Sequence, residues 1–156
     1  MLVVSAVMAL VVFATVVLHY EALLWLHRLQ PRVRSANRFP AALSVFGALA
    51  VHFVEIVLFA LALYLLSDAE TAHMLHGDFN GTFNDYVYYS FVVYTALGFG
   101  DITPTGHMRI VTGFETLTGL LMIAWTASFL FVQMQSFGFG AKGRERENPD
   151  EEKPRR

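Results

Sequence analysis

The sequence YTALGFGDITP, residues 94–104, gathers two glycines, a proline and an acid in one short stretch. The chain around it is 55% hydrophobic. Unpaired backbone groups are costly in lipid, so irregular backbone at membrane depth occurs only where it is buried in protein or lines a watery path. The stretch therefore indicates a functional segment of a membrane protein, provided that the chain on either side of it crosses the membrane.

Three apolar segments of the 156-residue chain are long enough to do so. The first covers residues 2–18 without a charge and stays apolar to residue 26, the second covers residues 41–66, and the third covers residues 108–132. Because the hydrocarbon core requires about 20 helical residues, we predict three transmembrane helices. A cleaved signal peptide is the alternative for the first segment, which lacks a basic start and a small-residue cleavage site.

The basic residues indicate the orientation. Ten of the eleven Lys and Arg residues lie between the first two spans or beyond residue 141, and none lies in residues 67–107. By the positive-inside rule, the loop and the tail are predicted to be cytoplasmic and the N-terminus external, in a plasma (cell inner) membrane. A nucleic-acid partner is the alternative for the arginines, but a short basic loop between spans is ordinary topology signalling, so we predict none.

The segment between the second and third spans must start and end on the same side of the membrane. Residues 68–85 are polar and rich in Gly and Asn, which predicts a loop. Residues 85–95 would form a helix of only about 16 Å, too short to span. Thr82 and Asp85 have capping-box spacing, and Asn84 is a second candidate N-cap. The pattern predicts a half-helix that enters the membrane, followed by the irregular stretch that leaves it.

Two properties of this arrangement favour a cation. Gly98 and Gly100 lack a Cβ atom and can adopt positive φ, so successive carbonyl groups can turn toward one axis. The C-terminal end of the half-helix is partially negative and points at the same region. A glycine-rich surface turn is the alternative interpretation of the motif taken alone.

The order of span, half-helix, TALGFGD, ITP and span resembles the pore module of potassium channels over residues 41–135. The resemblance implies that main-chain carbonyls replace the hydration shell of potassium, which is the permeant ligand, and that no cofactor is needed. The implied selectivity filter consists of Ala96, Leu97, Gly98, Phe99 and Gly100.

The same resemblance implies that Asp101 lies at the outer mouth, and Thr95, next to the filter, is expected to support it. From its position about a turn and a half into the third span, Glu115 is expected to support the filter by a hydrogen bond to a Tyr or Ser of the half-helix; its spacing does not select the partner. Gly119 is expected to be a gating hinge, with a helix-packing glycine as the alternative.

Two filter positions depart from the family pattern. Ala96 stands where the family has threonine, and Phe99 stands where it has tyrosine. Because Ala96 removes a ring of hydroxyls from the inner ion site, a weakly selective cation channel is the alternative to a passive potassium-selective channel. Each chain carries one filter segment, so the resemblance implies a homotetramer.

Polar residues in the first two spans form a separate candidate site. His52 and Glu55 lie three apart on one helix face, and His19 lies at a similar depth in the first span. Three interpretations stay open: an interhelical hydrogen bond, a proton sensor, or a metal site. A membrane metal-dependent enzyme or carrier built on these residues is the functional alternative of another class. It lacks a ligand motif of known spacing and a nucleophile–base pair, so we predict that the protein is not an enzyme.

The sequence predicts an all-α membrane protein with three transmembrane helices, a re-entrant pore helix and a filter loop, assembled as a tetramer in the lipid bilayer. Residues 1–40 form the N-terminal helix and a basic cytoplasmic loop, residues 41–135 form the pore domain, and residues 136–156 form a disordered, charged cytoplasmic tail. The first span lacks the repeated arginines of a voltage sensor, and no soluble regulatory domain is predicted.

Overall fold

The computed structural model describes residues 2–29, 39–67 and 74–147, with side chains for all of these except residues 2, 39–41 and 136–147. Most of the basic loop, part of the acidic loop and the end of the tail lie outside the described residues. The elements, in chain order, are α1 (Leu2–Leu29), α2 (Phe39–Leu65), β1 (Leu75–Gly77), α3 (Phe83–Tyr94), β2 (Ile102–Pro104) and α4 (Met108–Glu147).

Helices α1, α2 and α4 contain the three segments that are apolar and long enough to cross a membrane, Val3–Leu29, Ala42–Leu65 and Met108–Gln135. This confirms the three predicted spans. Helix α3 has 12 residues and is therefore about 18 Å long, well short of a hydrocarbon core of about 30 Å. It is the predicted half-helix.

Helix α2 is the centre of the bundle and packs against α1, α3 and α4. Phe59 of α2 and Tyr94 of α3 are fully buried, and their rings lie 6.3 Å apart. Met8 of α1 and Met122 of α4 belong to the same apolar core. The N-terminal span α1 is therefore packed directly onto α2 and α4.

A capping box at Thr82 fixes the start of α3. The Thr82 hydroxyl accepts a hydrogen bond from the Asp85 amide at 3.3 Å, and the Asp85 carboxylate accepts from the Thr82 amide at 3.0 Å. Thr82, rather than Asn84, is thus the N-cap. Hydrogen bonds from backbone amides, that of Thr82 first, lower the pKa of the Asp85 carboxyl, which keeps a negative charge at the positive end of the helix.

A small antiparallel sheet lies in the region that the composition predicted to be only loop. Strands β1 and β2 pair with His76 opposite Thr103. Gly77 has a φ of 122°, and a Cβ atom there would overlap the Asp101 carbonyl, so only glycine allows the strands to approach this closely. Strand β2 begins two residues after Gly100. The sheet therefore holds the chain where it leaves residues 96–100, which we call the filter segment.

Helix α4 extends further than the sequence predicted. The third span was expected to end near residue 132, with a disordered tail from residue 136, whereas α4 continues to Glu147. Residues 141–147 are Ala, Lys, Arg and Glu apart from Gly143, and adding such good helix formers to an existing helix requires no new nucleation. Gly138 and Gly140, which precede them, are with Gly143 the least favourable residues of the extension.

Candidate ion-conducting site

The backbone of residues 96–100 alternates in handedness. Ala96, Gly98 and Gly100 have φ values of 57°, 57° and 81°, whereas Leu97 and Phe99 have no positive φ. Ala96 is the only non-glycine residue of the described chain with a positive φ. A positive φ at every second residue departs from a regular strand, in which successive carbonyls face opposite sides. The segment therefore has the alternating φ signs expected of a line of carbonyl ligands that face one side.

The last turn of α3 leaves these carbonyls free. The amide groups of Leu97 and Gly98 donate to the Val92 carbonyl at 2.9 and 3.3 Å, and the Ala96 amide donates to the Val93 carbonyl at 2.9 Å. Among the described residues, no backbone hydrogen bond uses a carbonyl of residues 96–100 as acceptor. The amides of Ala96, Leu97 and Gly98 are thus bound by α3, and the carbonyls of residues 96–100 remain available to a cation.

Thr95 ends α3 and directs its hydroxyl hydrogen back to the helix. Its amide and its hydroxyl both donate to the Phe91 carbonyl, at 3.2 and 2.7 Å. Thr95 therefore caps α3, while the lone pairs of its oxygen are not used by this bond; its support of the filter stays a prediction.

Asp101 lies directly after the filter segment and is held by Tyr88 of α3. The Tyr88 hydroxyl donates to Asp101 Oδ2 at 2.5 Å, and the Ile102 amide donates to Oδ1 at 3.0 Å. The hydrogen bond from Tyr88 lowers the pKa of the Asp101 carboxyl. Both groups are exposed, so the carboxylate presents its charge at one end of the filter. The sequence analysis did not single out Tyr88, and nothing in its spacing marks it.

Gly119 lies where α4 passes the C-terminal end of α3. A Cβ atom at this position would overlap the backbone carbonyl of Tyr94. In contrast, Gly113 on the same helix has no neighbouring atom within 4 Å of such a Cβ. The contact corresponds to the packing interpretation of Gly119, and its role as a gating hinge stays a prediction.

Glu115 of α4 is fully buried. It lies against Ser90 of α3, as the sequence anticipated. However, neither carboxylate oxygen reaches hydrogen-bonding geometry with another group of the described chain. Support of the filter by Glu115 therefore stays a prediction.

The three polar residues of the first two spans come together behind the filter. Glu55 accepts hydrogen bonds from His19 Nδ1 at 2.8 Å and from His52 Nδ1 at 3.1 Å. The side chains of His19 and Glu55 are 1% and 0% exposed, and that of His52 is 15% exposed. The candidate ligand atoms of the three residues lie within 4.8 Å of one another. The predicted juxtaposition of His19 with His52 and Glu55 is thus present.

Two further residues, which the sequence analysis missed, complete this group. The Tyr94 hydroxyl donates to Glu55 Oε2 at 2.5 Å. Thr126 Oγ1 lies 3.2 Å from His19 Nε2 and 3.0 Å from His52 Nε2. We call these five residues the His–Glu cluster. It joins the helices α1, α2, α3 and α4, and Tyr94 lies two residues before Ala96.

Comparison with known proteins agrees with the geometry. The profile of a family described as ion channel matches residues 51–136, more than half of the chain. The matched region contains α3, the filter segment and the membrane part of α4, with α1 as an additional span before it. No curated protein and no solved structure matches the chain. The chain is therefore an integral membrane protein that belongs to this ion channel family.

Proposed function

We propose that the protein is a passive potassium-selective channel in which residues 96–100 of four chains surround one axis. The observation that carries the proposal is the alternating backbone at Ala96, Gly98 and Gly100, with unpaired carbonyls beyond the C-terminal end of α3. Carbonyl rings of this kind replace the hydration shell of potassium. The helix end adds a partial negative charge that favours a cation.

Several identical chains are needed because one chain supplies one carbonyl to each layer of the filter. Two observations support their presence. Leu97 and Phe99 are 58% and 66% exposed in the single chain, although both are large and apolar. Helix α4 also leaves a stripe of large apolar side chains uncovered at helical spacing, consisting of Ile110, Phe114, Leu117 and Leu121. A homotetramer covers part of this surface and completes the filter.

The charge distribution supports an orientation with the N-terminus outside and the C-terminus in the cytoplasm of a plasma (cell inner) membrane. Helices α1, α2 and α4 then cross in alternating directions. Both ends of the re-entrant segment lie outside, and Asp101 faces the external solution. Conduction along the gradient requires no catalytic step, in keeping with a protein that is not an enzyme.

Ala96 favours a second candidate, a weakly selective cation channel. Its methyl group cannot contribute the hydroxyl that threonine offers at the inner end of the filter, and the hydroxyl of the neighbouring Thr95 donates its hydrogen to the Phe91 carbonyl. Under this alternative the same carbonyls conduct, but sodium competes with potassium at the inner site.

The test is a planar-bilayer recording of the purified protein under opposed potassium and sodium gradients. A reversal potential close to the potassium equilibrium potential is the expected result. A reversal potential near zero would favour the weakly selective channel, and the absence of passive current would contradict both. Cross-linking in mild detergent should stop at four chains; a dominant dimer would contradict the proposed assembly.

A further inference from the structure

We propose that the His–Glu cluster is a proton-binding site. It holds one proton in addition to those present when both histidines are neutral and Glu55 is ionised. His19 and His52 share this added proton through the Thr126 hydroxyl. Nothing in the proposed conduction mechanism requires this. The site is formed by side chains of α1, α2, α3 and α4, outside the filter itself.

Counting hydrogens gives the first argument. Apart from the contact between Tyr94 and His52 Nδ1, the cluster contains five contacts at hydrogen-bonding distance: two between Glu55 and the Nδ1 atoms, one between Glu55 and Tyr94, and two between Thr126 and the Nε2 atoms. Each of these five contacts needs one hydrogen between its two heavy atoms. Neutral histidines supply one each, and the Tyr94 and Thr126 hydroxyls supply one each. Four hydrogens cannot satisfy five contacts, so a fifth proton is required.

Tyr94 does not remove this requirement. Its hydroxyl also lies 3.1 Å from His52 Nδ1, but its single hydrogen is directed to the Glu55 oxygen at 2.5 Å. If that hydrogen turned to His52, the contact between His52 Nδ1 and Glu55 Oε2 at 3.1 Å would bring two acceptors together without a hydrogen. Buried contacts of this kind are costly.

Charge balance gives the second argument. Glu55 is fully buried, and an uncompensated carboxylate inside a protein costs several kcal/mol. Among the residues whose side chains the structure describes, the nearest basic ones along α1 and α4 are His27, Arg28 and Arg109. Lys142, of which only the backbone is described, is about 24 Å along α4 from Thr126. Arg28 and Arg109 are about 13 Å and about 25 Å along their helices from His19 and Thr126. The added proton neutralises the cluster, whereas a divalent metal ion would leave it with a buried net charge of +1.

The groups that face the cluster from each helix are compatible with a shared positive charge. His19 comes from α1, His52 and Glu55 come from α2, and the remaining polar contacts are neutral hydroxyls. The Trp125 ring lies 5.5 Å from the His19 ring, within the range in which an aromatic face attracts a cation. Glu115 of α4 is the second buried carboxyl group of the described residues besides Glu55. It is about 16 Å along α4 from Thr126.

Thr126 provides the route for sharing. When His19 is the charged ring, its Nε2–H donates to Thr126 Oγ1, and the Thr126 hydroxyl donates to His52 Nε2. Transfer of the first hydrogen to Oγ1 and of the hydroxyl hydrogen to His52 moves the charge to the second ring. One N–H bond breaks as another forms, the hydroxyl is regenerated, and no electron is gained or lost.

The experiment is solid-state NMR of full-length protein in lipid vesicles with ¹⁵N-labelled histidine. The chain has six histidines, and replacing the four outside the cluster with asparagine leaves only His19 and His52 visible. At pH 7.5, where a free imidazole is mostly neutral, we expect one charged imidazole for each pair, exchanging between the two rings. The Thr126→Ser variant should keep this exchange, and Thr126→Val should stop it.

Glu55→Gln should abolish the charged imidazole, whereas Glu21→Gln, which changes an exposed carboxyl group of α1, should leave it unchanged. Two neutral rings in the chain that keeps only His19 and His52 would overturn the proposal. Nitrogen shifts typical of metal coordination, with a stoichiometric metal in the purified protein, would also overturn it. If the four-fold variant fails to fold, the wild-type spectrum at pH 7.5 gives the readout, because the absence of a charged imidazole among its six histidines would equally overturn the proposal.

Discussion

The filter segment and the His–Glu cluster differ in whether their polar groups have hydrogen-bond partners. In the cluster, each titratable side chain contacts polar atoms of other helices, and Glu55 and His19 are inaccessible. In the filter segment, the carbonyls of residues 96–100 have no backbone donor among the residues that the structure describes, and Leu97 and Phe99 are mostly exposed. Satisfied polar groups hold helices together, whereas unsatisfied ones are left for a ligand. Tyr94 links the two regions, two residues before the filter begins.

The largest effect is expected from Gly98→Ala, which challenges the special backbone of the filter. Gly98 has a φ of 57°, and a left-handed conformation costs an L-residue roughly 1–2 kcal/mol. In the proposed tetramer this cost is repeated in four chains and becomes roughly 4–8 kcal/mol, in addition to the strain that Ala96 already carries at the same φ, and we expect the sum to disrupt the alignment of the segment. Potassium conduction should be abolished, as measured by single-channel recording.

Gly81→Ala is the matched control, because Gly81 also has a positive φ, 76°, and has open space around a Cβ atom. It lies outside the filter and should leave conduction intact. Unchanged potassium current in Gly98→Ala would contradict the assignment of residues 96–100 as the filter.

Hydropathy and capping predict the membrane helices well, because both signals are local. Long apolar runs identify α1, α2 and α4, and the spacing of Thr82 and Asp85 predicts the start of α3. Strands β1 and β2 are different: each has three residues, too short for an alternating pattern, and their pairing depends on Gly77 meeting Asp101. The extension of α4 to Glu147 depends on propagation from a span, which composition of the tail alone does not reveal.

The residues of the candidate sites also differ in whether the sequence alone reveals them. His19, His52 and Glu55 are visible in the sequence because ionisable residues are rare in apolar spans. Tyr88, Tyr94 and Thr126 are common residues in a pore helix or a span, and only the packing of α3 and α4 gives them polar partners. The sequence also identifies Ala96 as a departure, but not its left-handed φ of 57°.

The second prediction concerns the contact between the Tyr94 carbonyl at the end of α3 and Gly119 of α4. Gly119→Ala places a Cβ atom on the Tyr94 carbonyl, so α3 and α4 must separate; overpacking of this kind costs about 1–3 kcal/mol. We expect a lower thermal unfolding temperature in detergent. Gly113→Ala, which meets no atom within 4 Å, should preserve or raise it, since alanine is a better helix former by about 0.5–1 kcal/mol.

The two interpretations of Gly119 then separate. Packing predicts that stability and conduction fall together in Gly119→Ala. A hinge predicts altered gating with an unchanged unfolding temperature, and that result would contradict the packing interpretation.

A third prediction concerns the inner end of the filter, where the structure changes what a restored hydroxyl should do. Because β-branched residues rarely adopt positive φ, Ala96→Thr should strain the filter by about 1 kcal/mol or more per chain beyond alanine. Ala96→Ser adds a hydroxyl without the branch. We expect Ala96→Thr to conduct less than Ala96→Ser, compared as single-channel conductance and as the sodium-to-potassium permeability ratio.

Equal conductance in the two variants would show that the backbone at Ala96 adapts to the residue. An improved permeability ratio in Ala96→Ser alone would indicate that the missing hydroxyl, rather than the backbone, limits selectivity. Either outcome sharpens the contrast between an exposed filter that tolerates little change and a cluster fixed by its partners.

The smallest effect is expected at the outer end of the filter, where Tyr88 gives Asp101 one of the few side-chain hydrogen bonds near the exposed carbonyls. The Tyr88 hydroxyl lowers the pKa of the Asp101 carboxyl, so the carboxylate stays ionised as the external solution is acidified. The stabilisation from this bond is present above the ordinary pKa of an aspartate and is lost as pH falls through the lowered value. Tyr88→Phe removes the hydrogen bond and should move the loss of charge to higher pH. Conductance recorded during external acidification should therefore decline at a higher pH in Tyr88→Phe than in the wild type, with little difference at neutral pH.

Tyr20→Phe, which removes a phenol hydroxyl from α1, is the control, and its conductance should have the same pH dependence as that of the wild type. Coincident titration curves for Tyr88→Phe and the wild type would mean that the charge of Asp101 does not influence the permeating ion.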